Sequence, residues 1–113
     1  MTPHHWFIIS DADPKTGALV SVNLTDFANN DGDTNCILLV GDHPIVKKKS
    51  VIRYADAVVL SEANLQLGEQ RGMLSKGDPI PQGLLERIQN GAIVSDDTDP
   101  EIAKLVRRTI KGK

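Results

Sequence analysis

The chain has 113 residues, 40% hydrophobic and 25% charged, with a formal net charge of −2. That length favours one domain, and that apolar content excludes a wholly disordered chain. The near-neutral charge excludes a long-range pull on nucleic acid or anionic lipid, and one cysteine excludes an intrachain disulfide or a thiolate metal cluster.

The charge is unevenly placed. Residues 1–46 hold six acids and one lysine, net −5, while residues 47–113 hold twelve bases and nine acids, net +3. A basic patch in a mildly acidic protein can bind a few phosphates locally. Neither a signal peptide nor an apolar run of ~20 residues is legible, so the expectation is a cytoplasmic protein without membrane contact.

Trp6-Phe-Ile-Ile9 is a short apolar strand ending at the turn residues Ser10-Asp-Ala-Asp-Pro14. Ala18 to Leu24 reads as a second strand with Val20, Val22 and Leu24 on one face. Phe27 to Asn35 is polar and reads as a loop. Cys36 to Val40 reads as a third strand buried on both faces, with Cys36 a small hydrophobe. Ser50 to Arg53 and Ala57 to Leu60 are two further strands. Strands at roughly ten-residue spacing predict a small barrel or a strongly curved antiparallel sheet. Glu62 to Asp78 is weakly patterned and predicts an irregular segment. Ile80-Pro81 opens a helix running to about Gln89, with Gly91 as its C-cap. Asp99-Pro100 starts another, by N-cap and first-turn proline. There Ile102, Leu105, Val106 and Ile110 make one apolar stripe, and Lys104, Arg107, Arg108 and Lys111 lie outside it.

The chemistry-bearing residues concentrate in Gly41 to Tyr54. Lys47, Lys48, Lys49 and Arg53 put four positive charges in seven residues, and in an extended segment Lys47, Lys49 and Arg53 share a face. That face suits phosphates or a pentacovalent transition state. It suits equally a lysine-rich edge that prevents sheet aggregation. His43 is the general acid–base candidate, because imidazole exchanges protons near neutrality and Asp42 is placed to fix its tautomer. Ser50 and Tyr54 can donate hydrogen bonds to phosphate, and Tyr54 can stack on a base. A strand tyrosine serves packing as readily. Asp31 and Asp33, with Asn29, Asn30 and Asn35, offer oxygen donors for a hard cation, but the spacing does not match an EF-hand loop, and Asp31, Asp33, Asp42 and His43 are the residues a metal-assisted hydrolase would use. A solvated Asn/Asp loop is the simpler reading.

Three stretches carry a resemblance. His5-Trp-Phe-Ile-Ile-Ser10, Gly17-Ala-Leu-Val-Ser-Val-Asn-Leu-Thr-Asp26 and Ser50-Val-Ile-Arg-Tyr-Ala-Asp-Ala-Val-Val-Leu60 resemble, in order, three strands of the MazF/PemK toxin family of CcdB-like barrels. The resemblance covers residues 5–90. It implies a mainly β (α+β) fold, a small SH3-like barrel over residues 5–60, an irregular segment 61–79 and one or two C-terminal helices within 80–113. It places Thr25 at the family's catalytic or substrate-positioning threonine, and His5 beside the entry of a catalytic arginine loop. The family's first strand and that arginine have no counterpart here, so His43, Lys47, Lys49 or Arg53 would supply the charge.

The activity so implied is a metal-independent endoribonuclease acting on single-stranded RNA, without cofactor. His43 would take the 2′-hydroxyl proton, Lys47, Lys49 or Arg53 would stabilise the phosphorane, and Thr25 or Ser50 would orient the phosphate. An antitoxin protein and a second copy of the chain are the other partners implied. The competing expectation is a non-catalytic barrel module that binds a protein or nucleic acid.

Overall fold

The computed structural model describes residues 6–30, 32–72 and 77–112. One long strand, β2 (Ala18–Asp26), organises the sheet. Leu19 to Val22 are buried in succession, so the middle of the strand is covered on both faces; Val20 and Val22 point into the main core, and Leu24 packs against it. A turn feeds it. The Asp13 carboxylate accepts from the Lys15 and Thr16 amides, and Gly17 takes the left-handed conformation (φ 72°) that lets the chain reverse.

β1 (Trp6–Ile8) pairs antiparallel with β2 in the register Trp6↔Asn23, Phe7↔Val22 and Ile8↔Ser21. Two later strands share the rest of β2. β4 (Ser50–Ile52) takes its far end, Leu24↔Ile52 to Asp26↔Ser50, and β5 (Val58–Ser61) takes its near end, Ala18↔Ser61 to Ser21↔Val58. β3 (Ile37–Leu38) pairs with β4. The strand order is β1-β2-β4-β3, with β5 also on β2. The result is an α+β fold with a five-stranded antiparallel sheet. The described strands do not close a barrel.

β3 shows why. The apolar run predicts a buried strand over Cys36 to Val40, but only two residues join the ladder, and Leu39 and Val40 are 54% and 68% exposed. The Asp42 carboxylate accepts from the Leu39 amide (2.8 Å), and the Asp42 amide donates to the Leu39 carbonyl (3.0 Å). Gly41 adopts φ 106°. This turn takes the chain out of the sheet before it can reach round to β1.

Three helices follow. α1 (Glu62–Gln70) lies where the sequence predicts irregular chain. Ser61 caps it, accepting from the Asn64 amide (3.0 Å), yet it buries no residue, which is why its apolar spacing is weak. α2 (Gln82–Val94) runs past Gly91, the expected C-cap. Gly91 is instead a mid-helix contact with Tyr54. α3 (Pro100–Lys111) begins as its sequence predicts, with the Asp99 carboxylate accepting from the Glu101 amide (2.8 Å). Leu84, Ile88 and Ala92 of α2 and Ile102 and Val106 of α3 cover Phe7, Ile9, Val20, Val22, Leu38 and Ile52 of the sheet. No helix among the described residues is long and apolar enough to cross a membrane.

Candidate functional site

The turn after β3 carries His43 inward. Its side chain is 3% exposed and meets the Phe7 ring edge-on, with centroids 5.4 Å apart. The Ile45 amide donates to Nδ1 (3.3 Å), so Nε2 carries the hydrogen and donates to the Asp78 carbonyl (3.1 Å). The ring as placed has no free nitrogen to take a substrate proton. Asp42 does not orient it. That carboxylate is held by the Leu39 amide and by Arg87 (3.4 Å).

The two hydroxyl candidates are also engaged. Ser50 is buried in β4, and its hydroxyl donates to the Lys48 carbonyl (2.8 Å). Tyr54 follows in a 3-10 turn (Tyr54–Asp56) and is 1% exposed. Its phenol crosses the core and donates to the Ile88 carbonyl of α2 (2.7 Å). Burial pushes that phenol far above its ordinary range. Beside it, burial likewise pushes the Cys36 thiol up, away from thiolate reactivity.

The cations, in contrast, face outward. Lys47, Lys48 and Lys49 are all exposed in the segment that enters β4. Lys48 pairs with Asp26 (2.7 Å). The Lys48 ammonium, followed by the Ala28 amide, holds the Asp26 carboxyl below the usual carboxylate range. Lys49 sits 3.9 Å over the Phe27 ring, a cation–π contact, and its carbonyl accepts from the Phe27 amide (3.0 Å). Arg53 pairs with Asp56 (3.0 Å). Thr25 is half-buried and faces Val51 across the β2–β4 ladder.

The structure therefore joins Lys48 and Lys49 to Asp26 and Phe27, and it separates this group from the inward-facing His43, Ser50 and Tyr54. Sequence reasoning missed Asp26 and Phe27 as members and set Lys48, which it counted in the basic run, off the face shared by Lys47, Lys49 and Arg53. The only available signal was an aromatic residue opening an otherwise polar loop. His5 lies outside the described residues.

Two of the clefts among the described residues are formed without any residue of the 43–54 segment. One, of about 300 Å³, runs between Cys36 and Ile37 on one wall and Arg87, Gly91 and Val94 on the other. The second, of about 460 Å³, lies between the Asp13 turn and the start of α1. Of the four groups considered as cation donors, Asp31 lies outside the described residues. Asp33 accepts from the Asn35 amide and from the Ser95 hydroxyl. Among the described residues, no group of three or more His, Cys, Asp or Glu side chains could hold a metal ion. Comparison with protein-family models, with curated proteins and with solved structures returns no match for this chain.

Proposed function

We propose that this chain is a non-catalytic module that binds single-stranded RNA through Lys47, Lys48 and Lys49. One contrast carries the reading. The three ammonium groups stand exposed, whereas the His43 imidazole and the Ser50 and Tyr54 hydroxyls are buried and bonded to backbone carbonyls and amides, and Thr25 is half-buried. Exposed ion pairs such as Lys48–Asp26 are weakened by solvent screening, so a phosphate can compete for the lysine. Phe27 adds an aromatic ring beside the ammonium groups, the combination that holds unpaired bases and their backbone together. RNA suits the modest net charge, because local cations rather than a global field supply the contacts.

The competing reading is a metal-independent endoribonuclease using His43, Thr25 and Arg53. Incubation with single-stranded RNA in EDTA separates the two. The module reading expects a retarded RNA band and full-length RNA after the protein is removed. Cleavage that persists in EDTA, and that Thr25→Ala or Arg53→Ala abolishes in a folded protein, would replace it with the nuclease.

A further inference from the structure

The last helix carries cations that the lysine run does not explain. Ile102, Ala103 and Val106 of α3 are buried, and Leu105 and Ile110 are half-buried against the same core. At about 100° per residue, Lys104, Arg107, Arg108 and Lys111 fall within an arc of roughly 100° on the opposite side. All four are exposed. Arg108 is tied to Asp13 (2.6 Å). Lys104, Arg107 and Lys111 have no partner among the described residues.

A solvated face does not account for this pattern. Lys104 and Arg107, Lys104 and Arg108, Arg107 and Lys111, and Arg108 and Lys111 are spaced three or four residues apart, so each pair is a like-charge contact that destabilises the helix. Glu101, three residues before Lys104, is the one acid within α3, and no acid is interleaved among the four cations. The helix dipole favours cations in the last turn, which covers Arg108 and Lys111 but not Lys104.

The face is also distinct from the lysine run. The Thr109 hydroxyl accepts from the Asp11 amide, and Arg108 reaches Asp13, whose amide donates to the Ala18 carbonyl. The end of α3 is thereby fixed near the start of β2. The lysine run is fixed at the other end of β2, where the Lys49 carbonyl receives the Phe27 amide. The nine residues of β2 span about 26 Å between these two anchor points. That exceeds the Debye length of ~10 Å at 0.1 M salt, so charges at the two anchor points are screened from one another.

We infer that the exposed face of α3 is a second phosphate-contact surface for single-stranded RNA, which rests on the RNA-binding reading. Lys104 to Lys111 spans about 10 Å of helix, room for roughly three phosphates at stacked spacing. RNA fits better than an anionic membrane, because the apolar side of the helix is committed to the core and leaves nothing to enter lipid.

The test is fluorescence anisotropy of dye-labelled oligouridylate over a salt series. The proteins are the wild type, the combined Lys104→Gln, Arg107→Gln and Lys111→Gln variant, and the combined Lys47→Gln, Lys48→Gln and Lys49→Gln variant. Glutamine preserves helix propensity, and circular dichroism checks the fold. The α3 variant is expected to bind at least about tenfold more weakly at 0.1 M salt, with a salt slope shallower by about 2, from ~0.7 per phosphate contact. A charge-keeping Lys104→Arg, Lys111→Arg variant should bind as the wild type does. Unchanged affinity and slope in the glutamine variant, with binding lost in the lysine-run variant, would overturn the inference and leave the RNA reading standing. Absence of binding by the wild type would overturn both. Loss of binding to phosphatidylserine vesicles, with RNA binding untouched, would assign the face to membranes instead.

Discussion

Gly91 stands inside α2 because the Tyr54 phenol fills the space a Cβ would need. An ideal Cβ there would lie 2.9 Å from Tyr54 Cζ and 3.2 Å from Cε2, closer still to the hydroxyl. Gly91→Ala should therefore destabilise the protein by about 1–3 kcal/mol through overpacking, although alanine is the better helix former. Urea unfolding measures this. In a Tyr54→Phe background, which removes the closest atom, the cost should shrink, whereas additive effects would refute the contact. His43→Ala should cost about 1–3 kcal/mol and leave RNA affinity unchanged, since the ring serves Ile45, Asp78 and Phe7. A folded His43→Ala protein with lost RNA binding would contradict that assignment. The burial of His43 was illegible in Gly-Asp-His-Pro, which reads as a surface turn. Its partners Asp78 and Phe7 lie 35 residues or more away in sequence. Tyr54 misled for the same reason, because the α2 carbonyl that receives it is equally remote.

The helices differ in how firmly they are held. α1 packs on β5 and buries nothing, while α3 seats three apolar residues in the core. Ser61→Ala should fray α1, seen as faster amide exchange there, with little change in the global unfolding midpoint. Asp99→Ala should cost about 1 kcal/mol of global stability. Equal global losses from the two would show that α1 unfolds with the core. α3 was legible because its cap, its first-turn proline and its apolar stripe agree. α1 was not, since a helix without a buried face leaves no period to read.

The Asp13 turn, to which Arg108 of α3 is tied, has a pH signature. The Lys15 and Thr16 amides, and then Arg108, hold the Asp13 carboxyl below its ordinary value of 3.8. A depressed carboxylate contributes its stability above that ordinary value and loses it as pH falls through the lower folded value. Stability should thus decline as pH drops below 3.8, and Asp13→Asn should flatten that decline. An unaltered acid limb in acid-unfolding curves would remove Asp13 from the explanation.

Strand existence along the chain followed from local pattern, but closure of the sheet did not. Pairing of β5 and β4 with successive halves of β2, and the early exit of β3, depend on contacts between distant segments. A barrel expected from strand spacing alone thus resolves as a five-stranded antiparallel sheet with three helices. The functional group reorganised in the same way. The lysines stayed at the surface, where polar residues normally go, while His43, Ser50 and Tyr54 were drawn into the core and Thr25 stayed half-buried. The decisive experiment is an anisotropy titration of single-stranded RNA in EDTA with the wild type and with Lys47→Glu, Lys48→Glu, Lys49→Glu combined, the RNA then being recovered and sized. Saturable binding by the wild type, at least about tenfold loss in the charge-reversed protein and intact RNA from both are predicted. Equal binding by the two proteins, or shortened RNA, would contradict a non-catalytic module acting through these lysines.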